Sequence, residues 1–343
     1  MMKPIRVGMI RCDTHAAYFG PQFARCDPLK LRAPRRSEPA HSWMQGACFL
    51  YFHLDCYHPL RMTAPFVGGF KLAKVWDKDR QAAEILAETF LSPPKVCDEA
   101  DQVSDDVDLV FINDCNGDGS DHLALARPGI EKRVATFIDK PLAYDVADAV
   151  RIVALAKKRS VPLLSLSILN RLPQARDFGR RLPEVGAVAF GVVNGGGRSM
   201  AGHIHAISLA QAVFGNGVES VEAMGEQELG FVHLNYGQRK DRPSSGVMLN
   251  CDAGPTWHGA FYVTASGGRG TILSGALGDF AYPDGSAAIL RLIKKMVRTQ
   301  ASPVPYDDMI ENIAVATAAR KAQRAGRPVR LSEVWQRERK PAS

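Results

Sequence analysis

Several absences set the first limits on this chain. No apolar run approaches the ~20 residues that a membrane helix needs; even Ala135 to Ile138 leads straight into Asp139 and Lys140. No membrane span is expected. The N-terminal MMKPIRVGMIRCDTH has a short apolar core and no small-residue cleavage site, so it reads as a buried strand rather than a signal peptide, and a cytoplasmic protein is the expectation. The seven cysteines (Cys12, Cys26, Cys48, Cys56, Cys97, Cys115, Cys251) contain no CxxC pair, a poor framework for disulfides or structural zinc. Reduced thiols are expected, and since no local basic partner marks one of them as an activated thiolate, Cys12, Cys56 and Cys115 read as structural. Aromatics make up 8%, and the basic excess behind the net charge of +7 gathers partly in a tail that carries one tryptophan, Trp335. Nucleic-acid surfaces interleave basic residues with aromatics, so no nucleic-acid partner is expected. Internal repeats and low-complexity tracts are absent too.

What is present is a globular composition, 343 residues with 46% apolar and 23% charged, long enough for two domains. Ile5 to Ile10 reads as a strand, as do Phe70 to Trp76, Asp108 to Asn113, Val134 to Ile138 and Val161 to Leu166. Between them, Arg80 to Phe90, a segment from His122, and Val146 to Lys158 show helical periodicity. Strands alternating with helices predict a Rossmann-like, doubly wound parallel sheet over residues 1–168. The proline-rich stretch at about 19–66 is too long for an ordinary crossover and is read as an insertion over the sheet's carboxyl edge. Residues 169–343 carry strand-like runs (Val185 to Asn194, Gly246 to Asp252, Phe261 to Ala265) and two helical stretches (His205 to Phe214, Asp307 to Ala325). These predict an α+β domain with a mostly antiparallel sheet.

Two motifs carry a resemblance. Asp139-Lys140-Pro141, with His122 eighteen residues earlier, looks like the E-K-P signature of the Gfo/Idh/MocA oxidoreductases, relatives of glucose-fructose oxidoreductase and inositol dehydrogenase. His205-Ala206-Ile207-Ser208-Leu209 resembles that family's H-x-I-D-L helix start. The resemblance implies a nicotinamide cofactor, NAD or NADP, a sugar, cyclitol or related polyol as substrate, and a homo-oligomer formed through the second domain's sheet. It makes Lys140 the group that orients the substrate hydroxyl and His205 the proton acceptor, a role that needs a base near neutrality. His203 is an extra catalytic candidate. Cofactor contacts are expected from Gly8, Ile10, Arg11, Asp13, Asp77, Asp114, His122 and Asp139, with Asp77 on the ribose hydroxyls; Lys78 and Arg80 leave NADP open.

The chain departs from the family in three places. Ala201 stands where the family has an aspartate beside the histidine, and Ser208 replaces a second acid. In the first turn, Arg11 and Asp13 stand at the two glycine positions that let the backbone approach a pyrophosphate. Asp13, His15, His58 and Asp114, with Asp55, Asp118 and Asp121 nearby in the pattern, suggest a divalent ion held by mixed oxygen and nitrogen ligands. Trp257 and His258 are candidates for lining the sugar side. The alternatives to an oxidoreductase are thus a metal-dependent lyase or hydrolase on the same scaffold, and an inactive sugar-binding relative.

Overall fold

The computed structural model describes residues 3–32, 41, 44, 64–252, 260–278 and 280–336. Its first sheet has six parallel strands in the order β3-β2-β1-β4-β5-β6. They are β1 Ile5–Ile10, β2 Phe70–Trp76, β3 Lys95–Val96, β4 Leu109–Ile112, β5 Ala135–Asp139 and β6 Leu163–Leu166. The last three are buried at every position, as in a parallel sheet covered on both faces. Strand order reverses between β1 and β4, and the crevice at their carboxyl ends is where such sheets take ligands. Gly8 and Ile10 serve this packing rather than the expected cofactor contact. A Cβ on Gly8 would lie 2.3 Å from the Val103 carbonyl oxygen, and Ile10 is a core residue.

The helices are α1 Thr14–Phe23, α2 Pro28–Arg32, α3 Arg80–Thr89, α4 His122–Glu131, α5 Val146–Arg159, α6 Pro173–Arg180, α7 Met200–Phe214, α8 Tyr282–Thr299 and α9 Tyr306–Ala325. The expected insertion therefore begins later than position 19, because α1 continues to Phe23 as the first Rossmann helix. Asp55 and His58 lie outside the described residues, as do Trp257 and His258. Among the described residues, no helix is long and apolar enough to cross a membrane.

The second sheet runs β12-β11-β7-β10-β9-β8-β13. Its strands are β7 Val188–Asn194, β8 Ser220–Met224, β9 Phe231–Asn235, β10 Val247–Asn250, β11 Tyr262–Gly267, β12 Gly270–Leu273 and β13 Val329–Arg330. The β7–β10 pair is parallel and the remaining pairs are antiparallel. Alternate residues, such as Val232 and Leu234, point into the core beneath α7 and α9, while the opposite face exposes Met224, Phe231, Tyr262 and Leu273. Helix α8 was not expected, and it packs back on the first domain. Gln22 Nε2 donates to the Pro283 carbonyl at 3.0 Å, and Ser286 Oγ donates to Gln22 Oε1 at 2.8 Å. The division at residue 168 is thus one of sequence more than of packing.

Candidate active site

Strand β5 delivers Asp139 and Lys140 to the crevice, both nearly fully buried, with a cis peptide between Lys140 and Pro141. Lys140 Nζ donates to the Cys115 carbonyl at 2.7 Å and to the Ala201 carbonyl at 3.4 Å. Ala201 opens α7, so this ammonium spans the gap between the domains. One helical turn on, His205 faces the same gap. Its Nδ1 lies 2.6 Å from Ser167 Oγ and its ring stands edge-on to Phe261. Burial, and then the charges of Lys140 and His15, push His205 well below the usual imidazole range, so it rests neutral and able to accept a proton. Ser167, just past β6, supplies the orienting contact that Ala201 cannot make. Sequence reasoning missed it because the partners are 38 residues apart and on different elements.

His15, from the first turn of α1, enters from the opposite wall. Its Nδ1 is hydrogen-bonded to Asp139 Oδ2, while Asp139 Oδ1 accepts the Lys140 amide at 2.8 Å. Burial lowers the His15 pKa, but Cys115 and Asp139, by charge and hydrogen bond, outweigh it and hold the imidazole well above its ordinary value. Imidazolium and neutral imidazole thus share one cleft, with Lys140 acting on the second. Lys140 and Ser167 also line a cavity of about 770 Å³ whose wall includes Asn170, Ser208, Gln211 and Asn312. Gln211 Nε2 is buried there without a hydrogen-bond partner.

The turn after β1 takes by other means the shape that a glycine turn would give. Arg11 adopts φ 63°, the left-handed conformation that glycine ordinarily supplies. Its guanidinium pairs with Asp114 at 2.8 Å and with Asp121 at 2.5 Å. Asp13 caps α1, accepting from the His15 amide at 2.9 Å and the Ala16 amide at 3.1 Å, and its other oxygen takes the Cys115 amide at 2.6 Å. Asp77 accepts from the Cys12 amide at 2.7 Å. A carboxylate that takes two backbone donors retains lone pairs for ribose hydroxyls, so Asp77 fits an adenosine ribose. The helix amides that would face a pyrophosphate are occupied by Asp13, leaving Arg11 as the turn's cation for that charge.

Several expectations are corrected here. His203 is fully buried on the far side of α7, near Leu229 and Arg320, and burial pushes it down to about 4, so it is a neutral core residue and not a cleft catalyst. His122 is also fully buried, its Nδ1 2.7 Å from the Pro141 carbonyl and its Nε2 3.0 Å from Asp114 Oδ2. Burial works to raise the Asp114 pKa, yet the His122 hydrogen bond and charge, with Arg11 and Lys140, bring it to about 2. Asp114 and His122 brace the turn, and Asp139 holds the His15 ring and the Lys140 amide. The metal set fails for the same reason. Asp13 is committed to amides, His15 to Asp139 and Asp114 to Arg11 and His122, so these three do not converge on an ion. Among the described residues, no group of three or more His, Cys, Asp or Glu is arranged to hold a metal.

A six-stranded parallel sheet joined to a mixed sheet, with a buried lysine between them, defines a two-domain fold of Rossmann type. Residues 49–166 match the family model described as oxidoreductase family, NAD-binding Rossmann fold (GFO_IDH_MocA). Solved structures share the fold over nearly the whole chain. An oxidoreductase from Agrobacterium radiobacter in complex with NAD+, L-tartaric acid and magnesium superposes with a TM-score of 0.68 at 13% identity, covering 97% of this chain and 100% of that one. Myo-inositol 2-dehydrogenase from Lactobacillus plantarum gives 0.67 at 14%, covering 96% and 99%. A myo-inositol dehydrogenase from Corynebacterium glutamicum gives 0.63 at 15%, again covering 96% and 99%. No curated protein matches the sequence.

Proposed function

We propose that this protein is a nicotinamide-dependent oxidoreductase acting on a sugar, cyclitol or related polyol. The observation that carries the reading is the meeting of Lys140 and His205 across the domain gap, the first tied to the α7 backbone at Ala201 and the second one turn further along that helix. A nicotinamide bound at the crevice supplies the hydride acceptor. Asp77 would hold its ribose and Arg11 its diphosphate charge. Lys140 donates a hydrogen bond to the reacting oxygen and favours its deprotonated form. His205, neutral and oriented by Ser167, takes the hydroxyl proton. The hydroxyl and amide groups of Ser208, Gln211, Asn170 and Asn312 in the adjoining cavity suit a polyhydroxylated substrate better than an apolar one.

The test is a titration with NADH and NADPH followed by turnover on a panel of inositols, aldoses and sugar acids, read at the nicotinamide absorbance. Micromolar binding of either nucleotide with turnover on a polyol supports the reading; no binding of both overturns it. The same reading makes the exposed sheet face with Met224, Phe231, Tyr262 and Leu273 the contact of a homo-oligomer, and Phe231→Glu is expected to shift the sedimentation coefficient toward the monomer.

A further inference from the structure

The cavity beside Lys140 has a charged wall that hydride transfer leaves unused. Besides its hydroxyl and amide groups it is lined by Arg171, Arg176, Arg291 and Lys295, against the carboxylates Asp284 and Asp308. Arg171 ends the short 3₁₀ turn Ile168–Arg171, which follows β6 directly after Ser167. Asp284, Ala288, Arg291 and Lys295 recur every three or four residues along α8 and so share the face of that helix that lines the cavity. The carboxylates are partly engaged elsewhere. Asp284 accepts from Gln174 Nε2 at 3.3 Å, and Asp308 sits in the first turn of α9, where a negative charge also answers the helix N-terminus. Arg171 Nε is buried with no hydrogen-bond partner among the described residues. Burial disfavours its charge, and Asp308 restores only part of it. Nearly all buried donors in proteins find an acceptor, and a charged donor left without one is costlier than a neutral one, so this guanidinium is built to meet an acceptor that the chain does not supply. Gln211 Nε2, buried in the same wall without a partner, is a second donor of this kind.

We propose that the polyol taken by this cleft carries an oxyanion, a phosphate or carboxylate group, which Arg171 binds together with Arg291 and Lys295 while a hydroxyl of the same molecule faces Lys140. The proposal rests on reading the cleft as that of a polyol oxidoreductase and names the substrate class more closely. A guanidinium presents its N–H groups in a planar fork that matches two oxygens of either group, and the cations of α8 add charge beside it. Gln211, Asn170 and Asn312 are left for the remaining hydroxyls. Binding of the anion needs no nucleotide chemistry, so the two readings succeed or fail separately.

The test is calorimetric titration of the full-length protein in phosphate-free buffer, with and without NADH. The probes are two matched pairs, myo-inositol with myo-inositol 1-phosphate and D-sorbitol with D-gluconate. In at least one pair the charged member is expected to bind at least ~10-fold more tightly than the neutral one, as for a hydrogen bond to a charged group, and the pair that shows it identifies the group. Arg171→Gln is expected to remove most of that advantage while the neutral member stays within about threefold. Arg291 is exposed, so Arg291→Gln probes the same wall without disturbing the turn after β6, and it decides if Arg171→Gln does not fold. Equal binding within both pairs overturns the proposal. So does an advantage that persists in both variants, which would reflect the chain's net positive charge alone. NADH binding without anion preference overturns the subsite and keeps the oxidoreductase reading. Anion preference that depends on Arg171, without NADH binding, keeps the subsite and rejects hydride transfer.

Discussion

The turn after β1 and the turn after β5 lie at the same sheet edge, with β4 between their strands, and they differ in what they present. The β5 turn carries a lysine and a proline and points the lysine across the domain gap. The β1 turn keeps the backbone shape, with Arg11 in the left-handed region, but has exchanged its chemistry. Where glycines leave amides open to an anion, Asp13 closes them from within and joins the His15 turn to the Cys115 turn. The comparison separates two things that a glycine motif bundles together, the path of the chain and the donors it presents. Here the path survives without the donors.

The largest expected effect lies on the side that has not changed. Lys140→Ala should lower turnover by about 10²- to 10⁴-fold, the range for loss of a positioned acid–base or electrostatic group, while NADH affinity stays within about threefold. Equal losses in both would make Lys140 a structural bridge and erase the contrast between the turns. His205 sharpens the point through pH. Because its folded pKa lies well below 6.5, it remains unprotonated as pH falls through the ordinary imidazole range. The oxidation rate is therefore expected to hold steady there, and a decline centred near pH 6.5 would remove His205 from the base role.

On the altered side, Asp13 offers two separable losses. Asp13→Ala removes a helix cap and the link to Cys115, and should reduce unfolding free energy by about 1–2 kcal/mol in urea titration. Asp13→Asn keeps an acceptor oxygen for the amides and removes the charge, so it should lose less stability yet bind NADH roughly tenfold more tightly, about 1.4 kcal/mol. Unchanged NADH affinity in Asp13→Asn would mean that the carboxylate does not oppose the nucleotide.

How much of this was legible follows from which signals are local. Interior parallel strands are continuous apolar runs, so β1, β2, β4, β5 and β6 stand out in the sequence, and Lys140 and His205 stand out because each sits in a short motif. Strands such as β8 and β9 bury alternate residues among charges and glycines, and their pattern is weaker. Helix α8 was hidden by its start, Tyr-Pro-Asp-Gly, which reads as a turn; yet proline is tolerated in a first turn, and Gly285 is there because a Cβ would lie 2.6 Å from the Ile168 carbonyl oxygen. His203 and His205 look equivalent in sequence, and the helical rotation between them sends one into the core and the other into the cleft. The contact of Ser167 with His205 exists only through tertiary structure, so no local pattern announces it. Asp13, His15 and Asp114, the expected metal ligands among the described residues, have partners in backbone amides, Asp139, Arg11 and His122.

The smallest effect is the most discriminating, because two terms oppose each other at one residue. Arg11→Gly should release about 1 kcal/mol of left-handed strain. It also deprives the buried Asp114 carboxylate of a partner at 2.8 Å, leaving His122 at 3.0 Å to carry the pairing. Asp114 has a folded pKa of about 2 against a reference of 3.8, so its ionised form contributes stability that is complete above about pH 4 and disappears as pH falls through about 2. The lost pair therefore dominates at pH 7, where the variant should be less stable than the parent by about 1 kcal/mol, within the range for a partly exposed arginine. As the pH drops towards 3 the pair term fades in the parent while the strain remains, so the difference should shrink and approach a reversal. Urea titrations at pH 7, 5 and 3 measure it. A pH-independent difference would mean that the arginine stands at the glycine position for its backbone or its packing, and that its charge contributes nothing to holding the turn.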